Sequence, residues 1–196
     1  MKVKEYKESY SKKVKKKPIK NKKLVDIKWI VTVTVLAFFI SIGFTFLSEI
    51  VTDNASAFLA TVIILLFIGI GILFDMIGIA ITVADIKTFN SMATKQVRGA
   101  KLAVKLIQNN DKAASFCNDV IGDICGIVSG SAGVALSAII ASELNINIFT
   151  PTLIVTAFIA ALTIGGKAVG KATAINKSTS ILFSFSKVAS CFYKVK

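Results

Sequence analysis

Asp75, Asp119 and Asp123 are the residues best placed to do chemistry in this sequence, because each falls within an apolar run long enough to cross a bilayer. A carboxylate at membrane depth costs about 2.5–3.5 kcal/mol on insertion scales, so it calls for a cation, a cationic side chain or a proton. Asp75 stands in GILFDMIGIAIT, at the end of an uncharged stretch that reaches back to Asn54. The other two stand in SFCNDVIGDICGIVSGSAGVALSAII, where Ser115, Asp119 and Asp123 recur at four-residue spacing and so share one face of an α-helix. Asn118 lies beside them, and Gly122, Gly126 and Gly130 form an adjacent stripe whose spacing lets a second helix come close in lipid. TIGGKAVGKATA offers Gly166 and Gly170 at the same spacing, with Lys167 between them as a charge partner. Oxygen donors from Asp, Asn and Ser suit a hard cation such as magnesium. A plainer reading stays open beside this one: the glycines serve ordinary helix packing, and Asp119, Asp123 and Lys167 lie near an interface, partly solvated.

The elements that must hold these residues are membrane helices. Of the 196 residues 54% are hydrophobic, only two are proline, and no histidine occurs. A span needs about 20 mostly apolar residues, and four runs qualify, residues 29–51, 57–84, 115–142 and 152–174. The expected fold is therefore all-α, a polytopic helical membrane protein with four transmembrane helices and additional cytoplasmic amphipathic helices. Residues 86–112 carry Ile86, Phe89, Ala93, Val97, Ala100, Val104 and Ile107 at helical spacing, opposite Lys87, Arg98, Lys101 and Lys105. That pattern predicts a surface helix along the membrane or beneath the bundle. Residues 178–193 can do the same, with Tyr193 as an interfacial anchor.

The charges give these spans a direction. The net charge is +13, with twelve lysines at or before Lys28, six Lys/Arg between Ala84 and Ala113, and six from Lys167 onward. The remaining connections, SEIVTDNAS and ASELNINIFTP, contain acids and no base. Short basic loops stay cytoplasmic, so the expected location is the cell membrane, multi-pass, with both termini inside. Residues 1–28 are expected to form a basic tail, disordered in water and drawn to an anionic inner leaflet, and residues 29–196 the helical membrane domain. Placed this way, the positive charge speaks for topology and anionic lipid rather than for nucleic acid. A basic-tailed tether for nucleic acid or ribosomes would instead bind through residues 1–28 alone with strong salt dependence.

Enzymatic function is not expected. Lack of histidine removes a Ser-His triad and the common zinc ligand sets, and no nucleophile motif stands in their place. Cys117, Cys125 and Cys191 are too few and scattered for a disulfide framework. Eight residues along one helix, about 12 Å, separate the first two beyond bridging distance.

From Phe74 to Asp111 the stretch FDMIGIAITVADIKTFNSMATKQVRGAKLAVKLIQNND resembles the transmembrane domain of the CNNM/CorB/CorC (cyclin M-like) family of magnesium and cobalt transporters. It runs without a gap along that family's S-x-x-E-T-A-L-T helix end and basic amphipathic helix, RGAKLAVKLIQNND being the most specific part. NDVIGDI is similar to the family's N-N-x-x-N stretch, displaced by about one helical turn, and GKAVGK to its G-E-x-x-P-K turn. The resemblance covers roughly residues 56–190 and leaves 29–51 as an added span. It implies a site for magnesium, a homodimer, and transport by alternating exposure of the site at midplane. The family's paired CBS region has no counterpart expected here, so regulation would fall to the tail, the surface helix or a separate chain. The departures lie at the site itself. Asp75 stands for a serine, Gly78 for the glutamate of S-x-x-E, Asn118 and Asp119 for two asparagines, Lys167 for the glutamate of G-E, and Gly170 for the proline. Three carboxylates and one ammonium leave a net of about two negative charges, enough for a divalent ion. The implied ligands are Asp75, Ser115, Asn118 and Asp119, with Lys167 swung aside or paired with Asp123. In the alternative, Lys167 pairs with Asp75 or Asp119 and replaces the cation, leaving a non-transporting scaffold or accessory subunit.

Overall fold

Ser56 starts a long apolar helix by accepting the Leu59 backbone N–H at 3.4 Å, which satisfies one of the donors that a helix leaves free at its beginning. The helix then runs from Ala57 to Val83 without a charge except Asp75. The structure, a computed structural model, describes residues 27–52 and 56–192. In chain order the helices are α1 (Ile27–Thr52), α2 (Ala57–Val83), α3 (Ile86–Thr94), α4 (Ala100–Gln108), α5 (Asn110–Ser115), a π-helical segment (Phe116–Gly122), α6 (Asp123–Leu144), α7 (Phe149–Asn176) and α8 (Ser178–Phe192). No strand occurs among the described residues. Two units divide the chain, Met1–Thr32 and Val33–Lys196. The tail up to residue 26 and the expected anchor Tyr193 lie outside the described residues.

Four stretches are long and apolar enough to cross a membrane: Ile27–Phe46, Ala57–Val83, Asn110–Leu144 and Phe149–Asn176. Large apolar side chains point outward along them, Phe38, Phe58, Phe149, Ile154, Phe158 and Ile164 all being more than half exposed. Their hydroxyls turn back to their own backbone. Thr61 donates to the Ala57 carbonyl at 2.8 Å, Ser137 to Gly133 at 2.7 Å, Thr156 to Thr152 at 2.6 Å and Thr163 to Ile159 at 2.8 Å. Such bonds let a polar residue sit in an apolar helix without an unmet donor.

The second unit is packed in two layers. In the first, Ala60, Ile64 and Ile68 of α2 meet Ala132 and Leu136 of α6 and Ile159 of α7. On another flank Val33, Ala37 and Ile40 of α1 lie against Val120, Ile124 and Val128. The second layer gathers Phe89 of α3, Ala103 of α4 and Leu182 of α8 beneath Ala80, Ile81 and Ala84. Phe89 and Leu182 are fully buried, each worth about 1.5–3 kcal/mol against exposure to water.

The amphipathic stretch is two helices rather than one. A turn at Lys95–Gly99 places Gln96 at φ 56° and Gly99 at φ 90°. The turn resets the helical phase, so α4 buries Ala100, Leu102 and Ala103, while Val97 is exposed and Val104 and Ile107 are half-buried. Lys87, Arg98, Lys101 and Lys105 remain on the exposed side. Residues 110–112, read from the sequence as the end of the surface helix, instead open the third long run. Gly99 also sits against α8: a Cβ there would come within 2.8–3.0 Å of backbone atoms of Ser186 and Lys187. Gly99→Ala is therefore expected to cost about 1–3 kcal/mol, from left-handed strain and from forcing α4 off α8. Thermal unfolding in detergent reads this loss directly, and an unchanged midpoint would mean that the two helices separate freely.

Candidate functional site

Two glycines bring α2 and the third long run together. A Cβ on Gly71 would stand 3.1 Å from the Cys125 Cβ and 3.4 Å from the Gly122 carbonyl oxygen, and one on Gly78 would overlap the Asn118 carboxamide. Gly71 thus faces Gly122 and Cys125 while Gly78 faces Asn118, which fixes an antiparallel crossing with Asp75 at the depth between them. From the other side, Gly166 packs on Ile72 and Gly170 on Ile72 and Met76. Lys167 consequently reaches the same depth, its Nζ lying 3.8 Å from where a Gly122 Cβ would be. Asp75, Asn118 and Lys167 form a layer about two helical turns deep across three helices, with Lys167 near the level of Gly71, Asn118 at that of Gly78 and Asp75 between them.

Within the layer Lys167 Nζ meets Asp123 Oδ1 at 3.5 Å. The lysine is 29% exposed and the carboxylate 65%, so the pair is a partly solvated one. Among the described residues Lys167 forms no ion pair with Asp75 or Asp119. Asp75 and Ser115 are half-buried and Asp119 is exposed. The Asn118 Oδ1 atom is buried and has no hydrogen-bond partner. Leaving such an oxygen unmet costs about 1–3 kcal/mol. Its neighbourhood is unusual in backbone as well as side chain, since Asn118 and Asp119 lie inside the π-helical segment. A π turn, closed by i→i+5 bonds, takes somewhat more than four residues, so the four-residue spacing of Ser115, Asp119 and Asp123 keeps them close to one face, with Asp119 and Asp123 exposed on it. π-Bulges occur frequently at functional sites.

The three carboxylates do not converge. Among the described residues no three of Asp, Glu, His and Cys form a group able to hold a metal ion. A cation here would take two carboxylates at most, completed by neutral oxygens such as those of Asn118 and Ser115. The glycine stripe is divided too: Gly122 lies in the close crossing, whereas Gly126 and Gly130 have nothing within 4 Å of a Cβ position. Cys117 and Cys125 are buried free thiols, and Cys191 is an exposed one that accepts from Arg98 Nη2 at 3.3 Å. Two features escape sequence reasoning, the π segment and the fit of Gly78 to Asn118. Only the absence of a side chain at 78, opposite a polar residue on the next span, hints at the second.

Comparison with protein-family models, curated proteins and solved structures finds no match to the chain.

Proposed function

We propose that the chain is an integral membrane protein that binds or moves a divalent cation, magnesium in the first instance, using Asp75, Ser115, Asn118 and Asp119. The observation that carries this reading is the buried, unpartnered Asn118 carboxamide oxygen, held in a π-helical turn against Gly78, one helical turn along α2 from Asp75. An oxygen stripped of water and given no donor is suited to a hard cation. The Lys167–Asp123 contact supports it further. With those two charges offsetting each other, the uncancelled negative charge resides on Asp75 and Asp119 and matches a divalent ion. The resemblance to the cyclin M-like family points the same way, and at position 78 it gains a physical meaning. The room that family's glutamate would fill is taken here by the Asn118 carboxamide.

The proposed membrane orientation keeps both termini and the basic connections cytoplasmic, so the layer lies in the cytoplasmic half of the bilayer. Movement of the ion would proceed by alternating exposure of the layer, with the π segment as the place where the helix changes its winding. A second copy of the chain would cover the face bearing Asp119, Asp123, Gly126 and Gly130, whose exposed carboxylates are costly against lipid.

Proteoliposomes carrying the unmodified protein are expected to show magnesium flux above empty vesicles, and magnesium is expected to raise the melting midpoint in detergent. Neither effect in folded, correctly inserted protein would remove the cation reading. A second reading, a non-transporting scaffold or accessory subunit, is favoured by the separation of the three acids. It predicts a co-purifying partner and cation handling unchanged by loss of the protein.

A further inference from the structure

Beside the cation layer, two grooves on the outer side of α2 and α7 join end to end. One, of about 480 Å³, is lined by Leu73, Met76 and Ile181 and by the polar groups of Lys177, Ser180 and Ser184. The other, of about 540 Å³, runs on between α2 and α7 along Ile68, Ile72, Leu162, Gly165 and Val169. Met76 and Thr173 line both, so the two are one continuous trough. Its ends differ in chemistry. At the α7–α8 junction Lys177 is exposed and no acid pairs with it among the described residues, while the hydroxyls of Ser180 and Ser184 form no hydrogen bond there. These groups lie one α-helical turn apart and point a cation and two donors at the same opening. Toward Leu162 the lining is wholly apolar, and Gly165 leaves open space. From Thr173 to Leu162 the trough spans about 16 Å by helical rise, close to half of the roughly 30 Å hydrocarbon core.

We infer that this trough is a binding site for one anionic phospholipid of the adjacent leaflet, its phosphate at Lys177, Ser180 and Ser184 and an acyl chain along α2 and α7. The match is of charge at one end and of length at the other. The inference rests on the membrane reading of the four helices but not on the cation site, which uses other faces of α2 and the third long run.

Native mass spectrometry of the whole protein, delipidated in detergent and titrated with phosphatidylglycerol or phosphatidylcholine, tests it. One phosphatidylglycerol per chain is expected to be retained in preference to phosphatidylcholine. Lys177→Gln should weaken that retention about fivefold, the effect of one lysine at an anionic lipid surface, without changing phosphatidylcholine. Gly165→Phe should reduce retention of both lipids by occupying the trough, since a side chain there meets no neighbour. Lys101→Gln, on the exposed face of α4, should alter neither. Equal retention of the two lipids by the unmodified protein would overturn the proposal. So would an equal loss in Lys101→Gln, which would mean diffuse charge attraction, or displacement of the lipid by glycerol phosphate at matched concentration, which would mean a phosphate site without a lipid one.

Discussion

Asp75→Ala is expected to reduce magnesium flux by more than about tenfold while raising the melting midpoint of the magnesium-free protein. The two signs come from the same geometry. Asp75 is half-buried, with no ion pair or hydrogen bond among the described residues, at a depth where an unneutralised carboxylate costs up to about 3 kcal/mol. Removing it without its ion relieves that cost. With the ion present, the loss halves the charge left after Lys167 and Asp123 offset each other, and one carboxylate cannot balance a divalent cation. Losing even an outer-shell partner of a metal ligand costs about 10- to 100-fold in affinity, so loss of a ligand is expected to reach at least the lower end. Melting in graded magnesium separates the effects: the magnesium-free midpoint rises, and the increment with magnesium disappears. A variant that melts lower without magnesium and keeps its flux would make Asp75 a structural residue with a partner of its own.

The long helices were legible because an uncharged apolar run of sufficient length has few alternatives. Ala57–Val83 falls within a residue of the expected 57–84, and the third and fourth runs extend beyond the expected ones by two to five residues at each end. The longest extension, Asn110 to Ala114, consists of polar or small residues that continue a helix beyond its most apolar part. The site was less legible, because its geometry depends on rotation of one helix about its axis relative to another. Spacing placed Ser115, Asp119 and Asp123 on one face at 3.6 residues per turn. The π segment changes the number of residues per turn around Asn118, and nothing in FCNDVIG announces a wider turn. For the same reason sequence left Lys167 with three carboxylates to choose from. The packing of Gly166 and Gly170 against Ile72 and Met76 rotates α7 so that Lys167 faces Gly122 and meets Asp123. The break between α3 and α4 was hidden differently: Gln96 adopts a positive φ that its side chain does not favour, sustained by the adjoining turn and by the seat of Gly99 on α8.

Gly78→Ala should disable the proposed cation site without substituting any of its ligands. The added methyl would overlap the Asn118 carboxamide, and a side-chain end can swing away where a backbone atom cannot. The fold should therefore survive. Alanine gains up to about 1 kcal/mol of helix propensity over glycine, and the reoriented carboxamide is free to find a donor, so the magnesium-free midpoint is expected to change little. What is lost is the position of one oxygen, and with it the magnesium-dependent rise in melting and most of the flux. Gly126→Ala provides the contrast. It is a glycine of the same run with nothing within 4 Å of its Cβ position, so it gains the same helix propensity and leaves Asn118 where it is. Parallel melting curves of the two variants with and without magnesium distinguish a placed oxygen from a general effect of stiffening a membrane helix. If both keep the full magnesium response, Asn118 is not a ligand, and its buried oxygen is a cost that the crossing of α2 with the π segment carries for packing alone.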